Sequence, residues 1–299
     1  GLFKSYYYDG QPKEEINYKD SKLDGPKKSY YENGQIESEG TFKDGKRNGL
    51  FKDYYDSGQF IGQTTYKEDI AVGPFKAYYK NGQLEQEGTV KDGELDGLAK
   101  SYYENGQLEQ EGTFKDGKED GPYIVHYDNG KIKSEGTYNN GKQNEFWKYY
   151  YENGQLQGEG FYSNGDRSNL GDTGIPRNGR EGFWKFYYEN GQLETGISYK
   201  DGKLDGLSKS YYDNGKIKSE GTYNNGKKNE FWKYYYENGQ LQQEGTFKDG
   251  KLNGLLKSYS DNGQLEKEGT YKDDITDGPF KIYYENGQIE SEGTFKDGK

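Results

Sequence analysis

A 24-residue periodicity constrains this chain more than any other feature. Taking the glycine of each Asn-Gly-type turn as a marker gives Gly10, Gly34, Gly58, Gly82, Gly106, Gly130, Gly154, Gly191, Gly215, Gly239, Gly263 and Gly287, all 24 apart except one step of 37. That step is one period plus 13 residues, so the chain reads as twelve units with a single insertion. A fixed period of this length marks repeats that each bury their surface only against neighbours. The division that follows is 1–162 with seven hairpins, 163–180 as an insertion loop, and 181–299 with five hairpins.

A representative unit runs Tyr102-Tyr103-Glu104-Asn105-Gly106-Gln107-Leu108-Glu109-Gln110-Glu111-Gly112-Thr113-Phe114-Lys115-Asp116-Gly117. Asn-Gly between alternating residues predicts a two-residue type I′ hairpin, whose turn needs two positive φ angles. Asp116-Gly117 then marks the loop to the next hairpin. Pairing outward from Glu104 opposite Gln107 sets Tyr103 against Leu108, Ser101 against Gln110 and an aromatic slot against Gly112 on one face. The opposite face sets Tyr102 against Glu109 and Lys100 against Glu111. The lysine recurs in eleven of twelve units and its glutamate in ten, Gln63 and Gly196 departing. The first face is the expected core, with rings over glycines, and the second is expected to be solvated. The fold class is therefore all-β: an elongated, twisted, single-layer antiparallel β-meander of about twelve 24-residue hairpin repeats, extending on the order of 115 Å at the usual strand spacing.

Composition fits this reading. Only 28% of the 299 residues are hydrophobic, yet 33 Tyr, 14 Phe and 46 Gly supply a regular aromatic and glycine framework that a disordered chain lacks. The net charge of -11 disfavours nucleic acid, whose phosphates need clustered Lys and Arg, and disfavours anionic membrane lipid. Cysteine is absent, which removes disulfides and thiolate metal sites. With no Met and with Gly1 in mid-repeat, the sequence reads as an excised piece of a longer product.

At Tyr102-Tyr103-Glu104-Asn105-Gly106-Gln107-Leu108, followed by Glu-Gly-Thr-Phe-Lys-Asp-Gly, the chain resembles the MORN repeat, specifically the bacterial variant often labelled as an antitoxin component. The resemblance covers everything except roughly 163–180. It implies a twisted antiparallel sheet used for contact with proteins or, in some eukaryotic members, lipid.

Catalytic chemistry finds little material. His126 is the only histidine and fills a slot that holds Tyr in the other units, so it reads as structural. Carboxylates recur with the repeat, whereas a catalytic pair should be singular. A non-enzymatic role without cofactor or metal is expected. The candidate binding residues are Trp147, Trp184 and Trp232, which fall in the aromatic slot, and Asp166, Asp172 and Arg177 in the insertion. An open tryptophan row could form a groove for carbohydrate, a choline-like cation or an added strand. Asp166, Asn169 and Asp172 offer oxygen ligands but lack EF-hand spacing, and a polar loop is the simpler reading.

The expected function is a scaffold for protein–protein interaction. The alternatives are an antitoxin or immunity protein masking a basic toxin, and a glycan-binding wall or host adhesin. Near-identity of Tyr127 to Lys142 with Tyr212 to Lys227, and of Tyr30 to Lys46 with Tyr283 to Lys299, points to recent duplication. That favours a bacterial surface or secreted protein over an intracellular scaffold. Unpaired strands at the two terminal units would permit end-to-end self-association.

Overall fold

The computed structural model describes residues 1–170 and 173–299. Among the described residues there are 26 strands and no helix, and each strand pairs antiparallel with its neighbours along the chain, the two-residue strands Lys46–Arg47 and Glu94–Leu95 only with the strand before them, so the fold is an open antiparallel meander. Two compact units divide the chain, Gly1–Lys142 and Gln143–Lys299. The first runs from the strand Leu2–Tyr6 to Ile132–Asn139. The second includes Leu156–Gly165 and Arg180–Tyr187, which flank the insertion, and closes on Ile289–Phe295.

The type I′ turn expected at Asn-Gly is found at Asp-Gly instead. At Tyr103-Glu104-Asn105-Gly106-Gln107 the Gly106 amide donates to the Tyr103 carbonyl at 2.8 Å and the Tyr103 amide to the Gln107 carbonyl at 2.8 Å. Only Gly106 in this loop has positive φ, at 84°, so the loop is three residues ending in a left-handed glycine, not a type I′ turn. The type I′ geometry sits instead at Asp116 (φ 48°) and Gly117 (φ 75°), with Lys115 paired to Lys118. Asn-Gly and Asp-Gly both permit either turn, so local propensity alone does not choose between them.

The pairing near the Asn-Gly turn changes accordingly. Tyr102 pairs with Leu108, not Glu109, and a bulge follows before Ser101 meets Gln110. The three-residue loop shifts the register by one and the bulge restores it. Beyond the bulge the expected register holds, with Lys100 opposite Glu111 and Ala99 opposite Gly112. Leu108 therefore shares a face with Tyr102, which corrects its placement among the core residues.

The core face is aromatic on glycine. A Cβ added at Gly40, Gly112, Gly160 or Gly221 would lie 2.2–2.4 Å from the ring of Phe51, Tyr123, Trp184 or Trp232 respectively. Each of these rings comes from the following hairpin, so the contact joins neighbouring repeats and not the two strands of one. Edge-to-face contacts extend the row, as in Phe42–Phe51–Tyr66 and Tyr162–Trp184.

Candidate functional site

The insertion is fastened to the core face of the second unit by Arg180, which is 3% exposed. Its guanidinium donates to the carbonyls of Pro176 (2.8 Å) and Ile175 (2.9 Å) and to the Tyr199 hydroxyl (2.8 Å). It also lies over the rings of Trp184, Phe186 and Tyr199 at 4.7–5.1 Å. Two carbonyl dipoles, a hydroxyl and three π-faces replace the water that a buried cation loses. Ile175 is 1% exposed, and the Tyr162 hydroxyl donates to the Pro176 carbonyl at 2.6 Å, so this end of the insertion continues the core. Burial pushes the Tyr162 hydroxyl up to about 12.

The expected site residues separate. Trp147, Trp184 and Trp232 are 1%, 0% and 2% exposed, and each indole N–H donates to a backbone carbonyl, of Asn144, Phe161 and Thr222. The open tryptophan groove is thereby corrected, because covered rings offer no face to a sugar or a cation. Asp166 accepts from the Ser168 amide (2.9 Å) and from Asn178 (3.0 Å), holding the loop's own backbone, and Asn169 donates to Asn178 at 3.4 Å. Asp172 lies outside the described residues. Arg177 lines a cleft of about 380 Å³ with Thr173, Arg180, Glu194, Thr195 and Tyr199. No group of three acidic, His or Cys side chains able to hold a metal occurs among the described residues.

The second face carries a repeated network. Lys100 meets Glu111 at 3.0 Å, Lys76 meets Glu87 at 2.9 Å and Lys209 meets Glu220 at 3.1 Å. The Tyr102 hydroxyl donates to Glu87 at 2.9 Å, Tyr235 to Glu220 at 2.7 Å and Tyr259 to Glu244 at 2.9 Å. Desolvation, then the glutamate bond, pushes Tyr102, Tyr187, Tyr235 and Tyr259 up to about 12. The Lys28 and Lys76 ammonium groups hold Glu39 and Glu87 below the usual carboxylate range, and the Tyr235 hydroxyl does the same for Glu220.

Two residues before each ladder lysine, and before Ile124 in the unit that lacks one, a further residue stands on the same face. It is always apolar: Leu2, Pro26, Leu50, Pro74, Leu98, Pro122, Phe146, Phe183, Leu207, Phe231, Leu255 and Pro279. In the first unit Leu2, Leu50 and Leu98 are 58%, 43% and 53% exposed; in the second, Phe183, Leu207 and Phe231 are 50%, 70% and 48% exposed. Clefts open between successive members, one lined by Pro74 and Leu98, another by Pro26 and Leu50, and the largest, about 500 Å³, by Phe183, Leu207 and Phe231. The signal was present in the sequence, since an apolar residue recurring every 24 positions next to a solvated lysine needs a reason to be there.

The MORN repeat variant model matches twelve segments, 1–20, 23–44, 47–68, 71–92, 95–116, 119–140, 147–164, 180–201, 204–225, 232–249, 252–273 and 276–297. The chain belongs to the MORN repeat variant family. Its matches skip 165–179, the body of the insertion. A search of curated proteins returns no match. Among solved structures, TcdB2-TccC3-Cdc42 and TcdB2-TccC3 align over 99% of this chain at 11% identity, with TM-scores of 0.19 and 0.20. The chain spans 17% and 18% of those chains, and at such scores the likeness carries no argument.

Proposed function

We propose that this MORN repeat chain is a non-enzymatic scaffold that binds partner proteins on its ladder face. The observation that carries the reading is the row of half-exposed Leu, Phe and Pro side chains set beside an ion-paired ladder. The ladder satisfies its own charges, so a partner can cover it without stranding an unpaired ion. The apolar row then supplies the burial that drives association. Its repetition suits an extended ligand contacting several units at once.

The test replaces Leu50, Leu98, Leu207, Phe231 and Leu255 together by Ser and compares affinity capture from the source cell with the native chain, using cross-linking to locate the contacts. Cross-links from captured proteins to Lys52, Lys100, Lys209 and Lys233, with capture lost in the substituted chain, support the reading. Equal capture by both chains, or cross-links confined to the turns, sinks it. A basic partner, as an antitoxin role requires, would be released by added salt.

A further inference from the structure

Along the second unit the ladder positions pair in strict alternation: Glu220 faces Lys209 and Lys233, Glu244 faces Lys233 and Lys257, and Glu268 faces Lys257 and Lys281. At Gly196 the alternation breaks. Its two cross-strand neighbours are Lys185 and Lys209, with no carboxylate between them. Lys185 reaches instead to Glu159 at 3.5 Å, and Lys209 to Glu220 at 3.1 Å. The other departure, Gln63 between Lys52 and Lys76, keeps a side chain in the gap. Only Gly196 places no side chain of its own there, and the end of the Phe183 ring fills the space, 2.6 Å from where a Cβ would stand, so the ring must swing aside for another group to enter. The 500 Å³ cleft opens beside Gly196, walled by Phe183, Leu193, Leu207, Tyr211 and Phe231, with Lys209, Lys233 and Glu220 at its border.

We propose that this cleft binds an acidic, apolar peptide segment of a partner protein, whose carboxylate takes the place that glutamate holds elsewhere in the ladder while its apolar side chains enter between Phe183, Leu207 and Phe231. The proposal rests on the scaffold reading and adds the chemistry of one partner segment. Lys185 and Lys209 each keep one glutamate partner but lack the second that ladder lysines have on their other side, and this missing carboxylate gives the charge complementarity in a chain that is otherwise acidic. A peptide suits the site better than a small molecule. Ligand pockets enclose most of a small molecule, whereas this cleft lies on an open sheet face, and only a ligand continuing past it gains the neighbouring Leu255, 46% exposed.

The experiment titrates the full chain with acetylated, amidated heptapeptides that carry one Glu among Leu and Phe, and with the same peptides bearing Gln or Lys instead. The Glu peptide is expected to bind the native chain, more weakly as salt is added, and to outbind its Gln counterpart by about tenfold. Gly196→Glu restores the ladder glutamate found in ten other units once the half-exposed Phe183 ring swings aside, so it is expected to fold and to lose the peptide. Gly196→Gln, which fills the position without charge, is expected to weaken binding as well. Undetectable binding to the native chain, equal binding of all three peptides, or undiminished binding by Gly196→Glu overturns the proposal. So does 4-phenylbutyrate binding as tightly as the peptide, which would make the ligand a small carboxylate. If Gly196→Glu loses nothing while the five-serine chain still loses its partners, the scaffold reading stands and this site alone falls.

Discussion

Ser21 occupies the second position of a turn where most repeats have glycine, and it holds φ at 59° beside Asp20 at 48°. A side chain in the left-handed region crowds the following carbonyl at a cost of about 1–2 kcal/mol. Ser21→Gly is therefore expected to raise stability by about 1 kcal/mol, less the extra entropy glycine gives the unfolded chain, as read from urea unfolding. Asp274, with φ at 71°, departs in the same way but recovers part of the cost, because its carboxylate accepts from the Leu252 amide at 2.7 Å. Asp274→Gly is expected to gain less than Ser21→Gly, and an equal gain would show that this hydrogen bond is worth nothing. Arg180 is the opposite case, a residue whose surroundings leave no substitute. Arg180→Met removes three donors from buried partners and is expected to loosen the insertion, with limited proteolysis cutting within 163–180 while the flanking hairpins stay intact.

At the level of the turn, each repeat is joined to the next through side chains that a search for φ preferences overlooks. The Tyr79 hydroxyl donates to the Tyr102 carbonyl at 2.7 Å, Tyr103 to His126 at 2.8 Å and Tyr236 to Tyr259 at 2.9 Å. Asn105 does two things at once: its Oδ1 accepts from the Gln107 amide, and its Nδ2 donates to the Asp128 carbonyl of the next turn. Asn105→Asp keeps the first bond and loses the second, so a destabilisation of about 1 kcal/mol is expected in thermal unfolding. Ser260 stands where the other units have the tyrosine that bridges to the next repeat, as Tyr79, Tyr103 and Tyr236 do, and its side chain bonds only within its own turn. Ser260→Tyr is expected to restore the bond towards the next repeat and raise Tm. The hairpin order, the aromatic-on-glycine face and the Lys100–Glu111 register were legible because each depends on pattern with period two or 24. The turn types were not, since Asn recurs for its bridge to the next turn and not for its own backbone angle, and a bridge between repeats leaves no mark within one. The candidate site was less legible still. Trp184 looks the same in sequence whether open or covered, and Arg180 of the insertion, which no repeat pattern predicts, lies over its ring.

Across the molecule the ladder face makes stability depend on pH at both ends of the scale. Glu15, Glu39, Glu87 and Glu220 are held below the ordinary value of 4.5 by the ammonium and hydroxyl groups bonded to them. A folded carboxyl with a depressed value stabilises the fold above its unfolded value, and that contribution is lost as pH falls through the folded one. The tyrosines work in the other direction. Tyr102, Tyr187, Tyr235 and Tyr259 are pushed from 10.0 up to about 12, first by desolvation and then by the glutamates they donate to. Raised values keep the proton in the folded state, so their contribution is full below pH 10 and is lost between about 10 and 12, as the unfolded chain ionises first. Stability measured by urea unfolding is therefore expected to be flat from about pH 5 to about pH 10 and to fall on either side. Because the alkaline limb is summed over tyrosines in many repeats, it should be steep, and Glu87→Gln should shift only the Tyr102 step in a tyrosinate absorbance titration. A single broad alkaline transition near the ordinary tyrosine value, unchanged by Glu87→Gln, would show that these hydroxyls are solvated and that the ladder is held by its lysines alone.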